Sequence, residues 1–128
     1  MRFIVVTADY AGLGFATRLK DEGHQVLLAT NPDSSVTGDA ERCARYARVG
    51  EGMLDKSPLG VLMGQRSRFK DAYWIWDLNH SVAENELLRS EGFRVLGGSQ
   101  HAYAMEHDRK ACLTFVERYG LEAPPSFS

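Results

Sequence analysis

Two hydrophobic periods alternate along the chain. Phe3-Ile4-Val5-Val6 is an unbroken apolar run, and a run that is apolar toward both faces predicts a strand covered on both sides, as in a parallel sheet. From Gly12 the period lengthens: Leu13, Ala16 and Leu19 recur at helical spacing, with Arg18, Lys20, Asp21 and Glu22 between them. Gly23 stands where a helix-ending glycine belongs, and Val26-Leu27-Leu28-Ala29 begins a second strand that Asn31-Pro32-Asp33 stops. Strand, helix and strand in succession predict a βαβ unit with a right-handed crossover.

Residues 34–71 carry no clear period. DAERCARYA, residues 39–47, has alanines at helical spacing. Gly50, Gly52, Pro58, Gly60 and Gly64 then punctuate the chain ahead of a basic stretch from Gln65 to Lys70. This middle reads as a solvated excursion on the sheet edge. Order returns at Ala72-Tyr73-Trp74-Ile75-Trp76, an aromatic strand that ends in Asp77-Leu78-Asn79-His80. Ser81 with Glu84 has capping-box spacing, and Val82, Leu87 and Leu88 give the helix that follows an apolar stripe ending at Gly92. Phe93-Arg94-Val95-Leu96 predicts a further strand before Gly97-Gly98-Ser99. Residues 108–119 then predict a helix with Ala111, Cys112, Phe115 and Val116 facing inward and Gly120 as its stop.

The alternation predicts an α/β fold: an open, mostly parallel sheet with flanking helices, a Rossmann-like layer. Ligands in such folds bind beyond the carboxyl ends of the strands, near the topological switch point. That rule selects three loops, residues 7–14, 77–81 and 97–101, by position alone.

Composition narrows the class. With 128 residues, 44% of them hydrophobic, the chain suits one ordinary domain. Fifteen basic and 17 acidic side chains give a net charge of −2, which lacks the basic footprint of a general nucleic-acid binder. No apolar run approaches a membrane span, and the start of the chain lacks a signal-peptide pattern. Cys43 and Cys112 lie far apart and read as free thiols in a reducing cytosol.

The loops offer limited chemistry. Gly12 and Gly14 supply a G-x-G that invites a dinucleotide, but Thr17 occupies the third glycine position and Asp9 brings a negative charge into the loop. Asp77 and Asn79, at a strand exit, suit hydrogen bonds to a hydroxyl or an amine; they equally suit closing the strand and opening the next helix. His80, His101 and His107 lack a metal-ligand spacing. Gly97 and Gly98 permit close approach of a ligand or serve simply as a turn. Spacing alone leads to an α/β domain with a small-ligand crevice.

The second half resembles a known family. Gly92-Phe93-Arg94-Val95-Leu96-Gly97-Gly98-Ser99, then Met105-Glu106-His107-Asp108-Arg109, then Phe115-Val116-Glu117-Arg118-Tyr119-Gly120-Leu121-Glu122-Ala123-Pro124-Pro125-Ser126 resembles the ATP-grasp ligases. The likeness is to the amino-terminal domain of phosphoribosylamine–glycine ligase, where a G-G/P-S/T strand exit leads to an L-E-x-x-K/R helix start and then to G-I/L-x-x-P. The opening βαβ unit agrees, and residues 34–71 match poorly. The resemblance implies a pre-ATP-grasp α/β domain over residues 1–100, and over residues 101–128 a linker helix and the start of an ATP-grasp domain.

It further implies an enzyme of purine biosynthesis in the cytoplasm that activates a carboxylate with ATP and magnesium before an amine attacks. These 128 residues are then a fragment, inactive alone and prone to self-association through Phe115 and Phe127; the alternatives are a stand-alone module that binds a nucleotide or phosphosugar, or a Rossmann-type dinucleotide-binding domain. Asp9, Tyr10, Gly12, Asp77, Asn79, Gly98 and Ser99 are the implied substrate-binding residues, for a phosphosugar amine or an amino acid. Arg109 matches the family's lysine near the nucleotide phosphates. The chain departs from the family at Ala8-Asp9-Tyr10-Ala11-Gly12-Leu13, which replaces a glycine-rich Arg-Glu-His turn, and at Asp77-Leu78-Asn79, which replaces Gly-Pro-Glu.

Overall fold

Burial on both faces makes the first strand the centre of the sheet. In the computed structural model, which describes residues 1–30, 48–77 and 79–122, β1 (Arg2–Thr7) is buried from Phe3 through Thr7. β2 (Gln25–Thr30) pairs with it on one side and β4 (Tyr73–Trp76) on the other. β3 (Asp55–Pro58) and β5 (Arg94–Leu96) form the edges, giving a five-stranded order β3-β2-β1-β4-β5 in which every pairing is parallel. The chain builds outward from β1 in one direction, then returns to add β4 and β5 on the other. The switch point therefore falls between β1 and β4.

Successive side chains of the strands serve two cores. On one face Phe3, Val5 and Leu28 meet Ala16 and Leu19 of α1 (Leu13–Asp21), with Leu54. On the other, Ile4, Val6, Ala29, Trp74 and Trp76 meet Leu59 and Leu62 of α2 (Leu59–Gly64), Leu88 of α3 (Val82–Ser90), and Phe93. Trp74 is the hub of this second core. It meets Phe69 and Phe93 edge-on at 6.3 and 6.2 Å and stacks on Trp76 at 6.3 Å. Burying each aliphatic side chain of these cores contributes about 1.5–3 kcal/mol.

The middle of the chain is more ordered than its pattern suggests. The described part of residues 34–71 contains β3, α2 and a 3₁₀ turn (Arg66–Phe69), and Leu54, Leu59 and Leu62 are buried, so this part is not a solvated excursion. The helix suggested over residues 39–47, and Cys43 within it, lie outside the described residues.

Ser81 is not a side-chain cap. It opens α3 at φ 50°, ψ 45°, a left-handed conformation, and makes no cap hydrogen bond. A capping serine needs an extended backbone to reach the first-turn N–H groups. The α3 stripe also shifts: Asn85 and Leu88 face the core, whereas Leu87 is 42% exposed.

After β5 the chain forms α4 (Gln100–His107) and then α5 (Arg109–Arg118). α4 begins inside the segment read as a loop. Ala111, Cys112, Phe115 and Val116 are half-buried, so the α5 stripe has the expected residues, but none of them is fully buried. Phe115 packs beside His101 and Tyr119, while Phe127 lies outside the described residues.

On the α1 side of the sheet, β4 and β5 stay partly uncovered. Tyr73 is 37% exposed and Leu96 66%, with the Arg94 guanidinium 5.0 Å above the Tyr73 ring. Among the described residues no helix is long and apolar enough to cross a membrane.

Candidate functional site

The site grows from the register of β1 and β4. Val6 lies opposite Trp76, and Asp77 N–H donates to the Val6 carbonyl at 3.2 Å, so the pairing runs one step beyond the strand. Thr7 and Asp77 thus stand side by side on the α1 face, at the switch point. Above them the first loop closes on β4: Gly12 N–H donates to Asp77 Oδ2 at 2.7 Å. A Cβ at Gly12 would come within 2.9 Å of that oxygen and 3.0 Å of Val5 Cγ1. The residue is glycine because the backbone approaches the carboxylate too closely for any side chain.

On the β5 side, Asn79 Nδ2 donates to Glu106 Oε2 of α4 at 2.8 Å. This bond fixes the amide plane and turns Oδ1 toward Gly98, where a Cβ would lie 2.2 Å from it. Gly97 is held by α3. Arg89 Nη2 donates to its carbonyl at 2.7 Å, while Arg89 Nε donates to Asn85 Oδ1, also at 2.7 Å.

What distinguishes this end of the sheet is its unmet hydrogen-bonding capacity. Among the described residues, the buried side-chain polar atoms without a partner are Thr7 Oγ1, Asp77 Oδ1, Asn79 Oδ1, both ring nitrogens of His80, and the indole N–H groups of Trp74 and Trp76. All but the Trp74 indole belong to residues at or just past the carboxyl ends of β1 and β4. A buried polar group left unpaired costs about 1–3 kcal/mol. Two non-glycine residues held in the left-handed region, Tyr10 at φ 66° and Ser81 at φ 50°, flank the same end. Backbone strain of that kind gathers at ligand sites.

The expected site residues divide accordingly. Gly12 with Asp77, and Asn79 with Gly98, are brought together in pairs. Tyr10 lines a small cavity of about 100 Å³ with Thr30, Lys56, Ser57 and Pro58, and burial raises its phenol above the usual range. Asp9 is exposed and turns back on its own loop, Oδ1 accepting from Ala11 N–H at 3.0 Å. Ser99 caps α4, its Oγ accepting from Ala102 N–H at 3.2 Å. Arg109 is exposed in the first turn of α5, and no hydrogen bond or ion pair among the described residues ties it to the crevice.

Thr7 and His80 lie in the loops selected by position but are not among the implied binding residues, and Glu106 lies outside those loops. Thr7 is a polar residue ending an apolar strand, a signal available in the pattern; Glu106 is reached only through the packing of α4.

The G-x-G loop is poorly suited to a pyrophosphate. The Gly12 N–H that would face the phosphate is already bonded to a carboxylate, and negative charge there repels an anion. Among the described residues no group of three or more His, Cys, Asp or Glu stands ready to hold a metal ion. His101 lies against Phe115, and His107 stacks on Tyr103 at 4.0 Å.

A larger cavity of about 540 Å³ opens at the opposite, amino end of the sheet, lined by Arg2, Lys20, His24, Asp55 and Arg68. Three of its cations are engaged: Arg2 pairs with Asp71 at 3.1 Å, Lys20 bonds the Met53 carbonyl, and Arg68 Nη1 donates to Gln65 Oε1 at 3.3 Å. None of the orphaned polar atoms lies there, so size alone does not make it the site. No family model, no curated protein and no solved structure matches the chain.

Proposed function

We propose that the chain is the amino-terminal, substrate-binding α/β layer of an ATP-dependent carbon–nitrogen ligase of the ATP-grasp type, similar to phosphoribosylamine–glycine ligase. Its carboxyl-end crevice holds a phosphosugar amine or an amino acid. The observation that carries this reading is the set of buried, unpartnered oxygens on Thr7, Asp77 and Asn79, grouped where the β1 and β4 loops are tied together. The Asp77 and Asn79 oxygens can only accept, and at a switch point they suit a ligand that donates hydrogen bonds. The resemblance implies the rest: ATP and magnesium act in the longer enzyme, in purine biosynthesis in the cytoplasm, with Arg109 near the phosphates. The described residues offer no acidic cluster fit to hold magnesium, so no metal ligand is assigned to them.

Titration of the ¹⁵N-labelled chain with 1-amino-1-deoxyribitol 5-phosphate tests the reading. The expected result is saturable shifts of the Gly12, Gly97 and Gly98 amides, with none on addition of NAD. Shifts produced by NAD instead would replace the ligase reading with a dinucleotide one, and no shift from the phosphosugar amine or from glycine, titrated in the same way, would end it.

A further inference from the structure

Asn79 has two faces with opposite hydrogen-bonding character, and only one can be turned toward a ligand. Its amide NH₂ group is engaged by the Glu106 carboxylate, which can only accept. The amide oxygen is thereby forced to the other side, buried and unpartnered beside Gly98. An uncharged partner at position 106, able both to donate and to accept, would leave the amide free to flip. The negative charge on Glu106 is therefore what makes Asn79 an acceptor.

We propose that Glu106 is a positioning residue of the crevice: by holding Asn79 with its oxygen inward, it makes the site select an amine over a hydroxyl. This inference rests on the phosphosugar-amine reading above. An ammonium group brings more donors than a hydroxyl and a charge that complements the unpartnered oxygen of Asp77. A hydroxyl, which can also accept, loses less when the Asn79 amide turns over. The preference therefore depends on the orientation of one amide, set from α4.

Calorimetry with two probes tests it: 1-amino-1-deoxyribitol 5-phosphate and ribitol 5-phosphate. The wild-type chain is expected to bind the amine about tenfold more tightly or better. Glu106→Gln is expected to bring the two affinities within about threefold, by weakening the amine more than ribitol 5-phosphate, and Glu106→Asp to recover part of the preference. Equal weakening of both probes by Glu106→Gln would reduce Glu106 to a structural role and overturn the inference with the site reading intact. A wild-type preference that survives Glu106→Gln would overturn it in the same way. Failure of the wild type to bind either probe would remove the phosphosugar-amine reading itself, and this inference with it.

Discussion

At the scale of single residues, the Gly12–Asp77 contact is the most exposed to substitution. Asp77→Ala strands the buried Gly12 N–H, at a cost of about 1–3 kcal/mol. Asp77→Asn keeps an acceptor oxygen and is expected to lose less. Urea denaturation of the two variants should rank them in that order, and equal losses would show that the hydrogen bond contributes little.

Away from the site, the Arg66 guanidinium hydrogen-bonds Glu91 at 2.6 and 2.7 Å and holds its carboxyl below the usual range. A carboxyl whose folded pKa is lowered adds stability above its unfolded value, and that addition is lost as the pH falls through the folded value. The stability gap between wild type and Glu91→Gln should therefore shrink between about pH 7 and about pH 3. A gap that widens on acidification would contradict the pairing.

At the scale of elements, burial separates those that stand on the core from those that stand on their caps. α3 buries Leu88 completely, whereas no residue of α4 or α5 is buried. Asp108 Oδ1 accepts from the N–H groups of Lys110 and Ala111 at 2.8 and 3.1 Å, so Asp108→Ala is expected to cost about 1 kcal/mol and to speed hydrogen exchange through α5 alone. Leu88→Ala, by contrast, should cost about 2–5 kcal/mol and loosen the whole domain.

The same division governs what could be read in advance. β1, α1, β2, β4 and α5 carry their periods in their own side chains and were legible. β3 has the sequence Asp55-Lys56-Ser57-Pro58 and is a strand only because β2 offers it an edge. α4 is weakly amphipathic; the Ser99 cap, the Glu106–Asn79 bond, the Gln100 N–H to Glu86 bond and the packing of His101 on Phe115 hold it, and a period reveals none of these.

At the scale of the whole molecule, strand order decides where the site lies. Alternation of strand and helix pointed to the carboxyl-end loops, and the order β3-β2-β1-β4-β5 brings the first and fourth strands together beneath them. Thr7 and His80 lie in loops that position alone selects, but which of their polar atoms remain unpaired depends on register, and Glu106 emerges only in three dimensions. The uncovered β4–β5 face bears on stability in the opposite sense: Leu96, already mostly exposed, should tolerate Leu96→Lys within about 0.5 kcal/mol. Thermal unfolding checks this, and a larger loss would mean that the face is covered in solution.

The placement of the indoles gives the molecule a built-in optical gauge. Trp74 and Trp76 are the chain's two tryptophans; the first is sealed in the core, while the Cβ of the second lies close against Gly97. Both rings are buried and stack on one another at 6.3 Å, so a movement of the glycine turn is expected to change the emission of the pair, read from the unlabelled chain without an added dye.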